Sequence, residues 1–129
     1  MMLAATAFAP VAMADTGDVE IQSVSQGTGG TVVITGTIHC YQGYPYQVFA
    51  EVWQTTGNKP YNVGYGQYPP DGSSAICSTS GQDTFTITVI GQKPFKNGAV
   101  LLRTSSFACD PFTGCRYSPW SSFEEFRIH

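Results

Sequence analysis

The sequence has few basic residues. It contains six Lys and Arg against nine Asp and Glu, and its formal net charge is −3. The basic residues are scattered along the chain and form no stripe. Nucleic acids and anionic membrane surfaces bind basic patches, so we expect neither of them to be a partner.

The chain also lacks a hydrophobic run long enough to cross a bilayer, which takes about 20 residues. Its longest apolar segment is residues 1–13, and Ala12-Met13-Ala14 matches the small-x-small pattern of a signal-peptidase site before Asp15. We therefore expect residues 1–14 to be a signal peptide, residues 15–129 to be one domain, and no membrane insertion. Because no Lys or Arg precedes the apolar segment, we expect the true start to lie further upstream. Neither a lipid-attachment cysteine nor a sorting signal is present, so the sequence predicts free secretion.

Motifs for catalysis are missing as well. There is no Gly-x-Ser-x-Gly, His-Glu-x-x-His or phosphate-binding loop. With no Cys-x-x-Cys and only two isolated histidines, a zinc site is not expected. Four acidic residues at strand ends are interpreted as solvated charges, because carboxylates are rarely buried: Asp18, Glu20, Glu124 and Glu125. We predict no catalytic activity, no metal and no cofactor.

What the sequence does have is a period-two alternation typical of β-strands. In residues 31–40 the apolar positions alternate with threonines, and residues 83–90 repeat the pattern. Residues 19–24, 47–54 and 123–128 show weaker versions, and the inward face of residues 98–107 is ambiguous. Residues 61–68 are interpreted as a doubtful extra edge strand because of their glycines. Gly- and Pro-containing turns separate these runs and no segment has helical periodicity, so we predict a small antiparallel immunoglobulin-like β-sandwich of six to seven strands.

Four cysteines in an exported domain predict two disulfides. The favoured pairing is Cys40–Cys77 with Cys109–Cys115, since the second bridge would close a turn that contains Pro and Gly. The alternative is Cys40–Cys109 with Cys77–Cys115. Trp53 follows Cys40 and an aromatic residue precedes Cys109, which is how immunoglobulin domains connect their two sheets.

Two segments carry a family resemblance. They are Gly36-Thr37-Ile38-His39-Cys40 with the strand after it, and Ala75-Ile76-Cys77 leading into Phe85-Thr86-Ile87-Thr88-Val89. Residues 18–107 resemble small exported actinobacterial immunoglobulin-like proteins of unknown function. The resemblance implies a bacterial protein outside the cytoplasm and a Cys40–Cys77 bridge. It does not cover the segment after residue 107, and it implies no activity.

Aromatic residues outside the core pattern suggest a binding surface. Tyrosine and tryptophan offer flat apolar faces with polar edges, and pyranose rings stack on such faces beside amide groups. We predict a glycan-binding site whose members are Trp53, Tyr61, Asn62, Tyr65, Gln67 and Tyr68. An ordinary core cap and loop also explain the same residues. Whether the strand face of Phe49, Glu51 and Trp53 is covered or open stays undecided.

The segment between the last two cysteines offers an alternative site. A short disulfide-closed loop with Pro111, Phe112 and Thr113 would present a pre-organised side chain to a protein partner, as protease inhibitors do. A hairpin turn closed by a disulfide, with no binding role, also explains the same residues. From the sequence we therefore expect a secreted monomeric binding or structural module, with an extracellular glycan or, alternatively, a protein as its partner.

Overall fold

Nine β-strands make up nearly all of the regular structure in the part of the chain that the structure describes. The computed structural model describes residues 15–55 and 61–129, so the predicted signal peptide lies outside the described residues. A 3-10 turn, Thr28–Gly30, separates the first two of these strands. The strands are β1 (Val19–Gln26), β2 (Val32–His39), β3 (Pro45–Gln54), β4 (Asn62–Tyr68), β5 (Ala75–Ile76), β6 (Gln82–Gly91), β7 (Gly98–Asp110), β8 (Gly114–Tyr117) and β9 (Glu124–Ile128).

All strand pairs are antiparallel, and the main order is β9-β7-β3-β4-β6-β2-β1. Two short strands are added at the sides: β5 pairs with the start of β3, and β8 pairs with the end of β7. The sheet curls into a half-barrel, so that β1 and β9 at its two ends approach each other. The all-β sandwich class predicted from the sequence is confirmed, with seven strands in the main order. Across the described residues, no helix is long and apolar enough to cross a membrane.

Alternate residues of the strands fill the space inside the curl. Ile34 of β2, Ile87 of β6 and Val48 of β3 are completely buried, as their period-two patterns predict. The structure also shows which face of β7 points inward: Leu102 lies in the core, whereas Leu101 is exposed on the other face. The burial of apolar side chains on this one face stabilises the fold and leaves the opposite face available.

The interpretation of residues 61–68 as an edge strand is wrong, because β4 lies in the middle of the sheet between β3 and β6. Two glycines of β4 explain why this strand can lie between its two neighbours. A Cβ on Gly66 would lie 2.6 Å from Ile87 Cγ2, and a Cβ on Gly64 would lie 2.6 Å from the carbonyl oxygen of Ile90. Glycine at these two positions therefore permits the close approach of β6 where the sheet bends.

The structure contains the favoured disulfide pairing. Cys40 after β2 bonds to Cys77 after β5, and Cys109 bonds to Cys115 across directly paired positions of β7 and β8. No cysteine is free. Two disulfides are typical of proteins that fold in an oxidising compartment.

Candidate functional site

The outer face of β3 carries the residues that the sequence left undecided. Val48, Ala50 and Val52 point into the core, so Phe49 and Trp53 emerge on the opposite side of the strand. Both side chains are half-buried, which makes this face partly covered and partly open.

The neighbouring strand β4 extends this outer face. Glu51 is paired with Tyr65, and Phe49 with Gln67, so each pair points its side chains outward together. Tyr65 is 64% exposed. The ring centroid of Tyr61, just before β4, lies 5.0 Å from that of Trp53.

A connection that the sequence did not single out covers part of the same face. Residues 118–123 join β8 to β9 and run along β7, where the amide of Ser118 donates to the carbonyl of Ser106 at 2.8 Å. This connection carries Trp120 and Phe123, which are both 41% exposed. The Phe123 ring lies 6.0 Å from the Trp53 ring.

An ion pair forms the polar centre of the outer face. Arg103 Nε donates to Glu51 Oε1 at 2.5 Å, although Glu51 is only 3% exposed. The guanidinium carbon of Arg103 lies 5.0 Å from the centre of the Trp120 ring and 4.7 Å from that of Phe123. These are cation–π distances, so one arginine holds both aromatic residues of the connection.

The surroundings of Glu51 keep its carboxylate charged. Burial opposes ionisation, but hydrogen bonds from Tyr65 and Arg103 and the charge of Arg103 outweigh it, and the pKa of Glu51 is lowered. The nearby indole N–H of Trp53 also lowers the pKa of Glu51, although its geometry is not that of a hydrogen bond. The bond to Glu51 raises the pKa of the Tyr65 phenol. The ionised carboxylate thus interacts with an exposed tyrosine of this face.

A groove of about 550 Å³ crosses this outer face. Phe49 of β3 and Tyr65 of β4 line it together with Trp120 of the connection. Between and beside these rings lie polar and apolar side chains of β4 and β6, namely Gln67, Thr86, Thr88 and Ile90. The volume lies within the range of small-molecule sites, and the mixture of rings with a few hydrogen-bonding groups is typical of them.

The six residues predicted as a glycan site do not all lie together. Trp53, Tyr61, Tyr65 and Gln67 are associated with the outer face, of which Tyr65 and Gln67 line the groove. Asn62 and Tyr68 occupy the alternate positions of β4 and point to the other side.

Both of these inward residues have structural partners. The amide of Asn62 bonds to the backbone of Lys93, donating to its carbonyl oxygen at 2.7 Å and accepting from its N–H at 2.9 Å. The ring of Tyr68 stacks on Tyr46 at 6.3 Å. These contacts hold the fold together and leave neither side chain directed at the groove.

The alternative site lies at one end of the sandwich. Phe112 is 80% exposed at the tip of the loop formed by residues 110–114, and its ring contacts that of Tyr41 at 5.7 Å. The Asp110 carboxylate accepts hydrogen bonds from the backbone N–H groups of Phe112 and Thr113 and from the Thr113 hydroxyl, at 2.7–2.8 Å. The backbone and hydroxyl donors of Thr113 lower the pKa of Asp110 most. The loop is thus held by its own aspartate as well as by its disulfide.

The charged groups singled out from the sequence form no reactive centre. Asp18, Glu20, Glu124 and Glu125 are all exposed, as predicted. One group of potential metal ligands does come together, Cys40, Cys77 and Asp83. Its two sulfurs are bonded to each other and therefore cannot act as thiolate ligands.

Comparison with known proteins adds no functional information. No protein-family model, no curated protein and no solved structure matches the chain. The resemblance to exported actinobacterial proteins therefore stays a prediction, and function has to be inferred from the residues of the outer face and of the disulfide-closed loop.

Proposed function

We propose that the protein is a secreted, non-catalytic binding module that holds a glycan in the outer-face groove. The observation that carries this proposal is the presence of exposed Tyr65 and Trp120 in one groove with Gln67, Thr86 and Thr88. Aromatic faces provide the apolar contact that a pyranose ring needs, and amides and hydroxyls provide its hydrogen bonds. No acid–base pair lines the groove among the described residues, which favours binding over catalysis.

The hydrogen-bonding groups of the groove are available to a ligand. The side chains of Gln67, Thr86 and Thr88 have no hydrogen-bond partner among the described residues. The two rings, in contrast, adjoin the ion pair, since Tyr65 is paired with Glu51 across β3 and β4 and Trp120 packs on Arg103. A site with rigid rings and free polar groups loses little entropy when it binds.

Two sequence features support the extracellular setting of this function. The apolar segment with its cleavage pattern precedes Asp15, and all four cysteines are paired. A secreted monomer that meets cell-wall or environmental polysaccharides is consistent with both.

Co-sedimentation tests the proposal. The purified protein is incubated with insoluble peptidoglycan, chitin and cellulose, beside its Tyr65→Ala and Trp120→Ala variants. We expect retention on at least one polymer and a loss of about tenfold in affinity for each variant, equivalent to about 1.4 kcal/mol. Phe112→Ala is the control, because it removes an exposed ring from the other site. Retention on none of the polymers would refute the glycan proposal.

A second candidate function is protein binding, including protease inhibition, through residues 110–114. It is favoured by the exposure of Phe112 and by the three hydrogen bonds to Asp110, which pre-organise the loop. An inhibition screen against extracellular proteases tests it, with Phe112→Ala expected to abolish the effect and Tyr65→Ala expected to leave it intact. Equal inhibition by the wild type and by Phe112→Ala would contradict this function.

A further inference from the structure

The groove is uncharged although charges lie close to it. None of the described residues that line it is an acid or a base, and its one titratable group is the phenol of Tyr65. The ion pair of Glu51 and Arg103 lies beside Tyr65 and Trp120, but neither of the two charged side chains lines the groove. An anionic or cationic ligand would lose hydration in this groove without gaining a counter-charge. The groove therefore favours a neutral ligand.

The width of the groove fits a short oligosaccharide segment. It is lined by residues of three adjacent strands, β3, β4 and β6. At a strand spacing of about 4.8 Å, three strands span about 10 Å, which is roughly the length of two linked pyranose rings.

An exposed isoleucine next to the groove's tyrosine is the feature that the proposed function does not require. Ile90 is 71% exposed, compared with 62% for Ile76 and 37% for Leu101. It is paired directly with Tyr65 where β6 meets β4, and directly paired residues have Cβ atoms about 4.5–5.5 Å apart. Thr88 stands two residues away from Ile90 on the same face of β6.

This arrangement matches an acetamido group beside a sugar ring. When a pyranose ring stacks on Tyr65 with its C2 carbon toward β6, the substituent at C2 extends over Ile90. There the methyl group can contact Ile90, and the amide can bond to the hydroxyl of Thr88 or the side chain of Gln67. An unsubstituted hexose would leave Ile90 exposed to water.

We propose that the groove is specific for a neutral, N-acetylated hexosamine chain, with Tyr65 stacking on a ring and Ile90 contacting its acetyl methyl group. This specificity rests on the proposed glycan-binding function and goes beyond it by assigning the substituent that is recognised. Charged polymers and unsubstituted glucans are weaker ligands in this account.

Calorimetric titration with three soluble tetrasaccharides tests the specificity. Chitotetraose and cellotetraose share the β-1,4 backbone and differ only at C2. In mildly acidic buffer, the de-N-acetylated tetramer carries an ammonium group in place of the acetamido group. Burying a methyl group and forming one amide hydrogen bond predicts about tenfold tighter binding of chitotetraose than of cellotetraose. The ammonium form is expected to bind more weakly than chitotetraose by at least the same factor.

Ile90→Thr and Ile76→Thr form a matched pair of variants, because both residues are exposed and both changes keep the β-branched shape. We expect Ile90→Thr to remove most of the preference for chitotetraose over cellotetraose, and Ile76→Thr to bind like the wild type. Equal binding of chitotetraose and cellotetraose by the wild type would overturn the specificity and leave the glycan function in place. Binding of none of the three sugars would overturn both.

Discussion

Replacing Glu51 with Gln removes one charge from the polar centre beneath the aromatic face. The variant keeps the shape of the side chain and an acceptor oxygen for Tyr65, but it loses the ion pair with Arg103. A hydrogen bond to a charged group is worth about 1.5–3 kcal/mol, and an exposed ion pair about 0–1 kcal/mol. The Arg103 side chain is 31% exposed and that of Glu51 is 4% exposed, so we expect an intermediate loss of about 1–2 kcal/mol in unfolding free energy at pH 7.

The loss is expected to depend on pH in one direction. The pKa of Glu51 is lower in the folded protein than its usual value, so the ionised carboxylate stabilises the fold above the unfolded-state pKa of about 4.3. That stabilisation disappears as the pH falls through the folded-state pKa. The wild type and Glu51→Gln are therefore expected to converge in stability in acid, because both then carry a neutral side chain.

Thermal unfolding from pH 7 to pH 2 measures both effects. A loss of about 1–2 kcal/mol in a domain of this size corresponds to about 4–8 °C in Tm at pH 7. Glu125→Gln is the control, because Glu125 is exposed on β9 and should change Tm by less than about 2 °C. A Tm deficit for Glu51→Gln that stays constant down to pH 2 would refute the electrostatic reasoning.

Three further changes probe the fold around the site. Gly66→Ala would place a methyl group 2.6 Å from a core carbon, so the urea midpoint should fall by the equivalent of about 1–3 kcal/mol; an unchanged midpoint would show that β6 can move away. Tyr46→Phe removes the 2.9 Å hydrogen bond to Asp83 and should lower the unfolding free energy by about 1 kcal/mol. NMR titration should also show a rise in the pKa of Asp83, and a fall in that pKa would be inconsistent with the bond. The double variant Cys109→Ser with Cys115→Ser opens a bridge between residues six positions apart and should cost about 2 kcal/mol by loop entropy; calorimetry showing no loss would mean that β7 and β8 hold the hairpin alone.

The sequence predicts the strands best where one face is buried and the other is solvated. The alternation in β6 is regular because Ile87 faces the core while Thr86 and Thr88 face water. In β2, Ile34 also faces the core, but Thr37 on the other face is buried. The central position of β4 could not be predicted, because Gly64 and Gly66 lower β-propensity and only the contact with β6 explains them.

The sequence predicts only part of the site, because some of its residues come together only through contacts in the folded chain. Tyr65 and Gln67 share one face of a strand, but Asn62 was included because it is close in sequence, although period-two alternation turns it to the opposite side. Trp120 was missed because its segment has no periodicity. Its position depends on backbone hydrogen bonds to β7 and on Arg103, which come together only in the folded chain.

Chemical-shift mapping tests most directly whether the outer-face groove is the ligand site. Soluble chitotetraose is added to the ¹⁵N-labelled protein, and the amide signals that move are assigned. We predict that the shifts concentrate on Tyr65, Gln67, Thr88 and Ile90 and on the indole N–H of Trp120, while Phe112 is unaffected. Shifts confined to residues 110–114, or no shifts at saturating sugar, would contradict the assignment of this groove as the binding site.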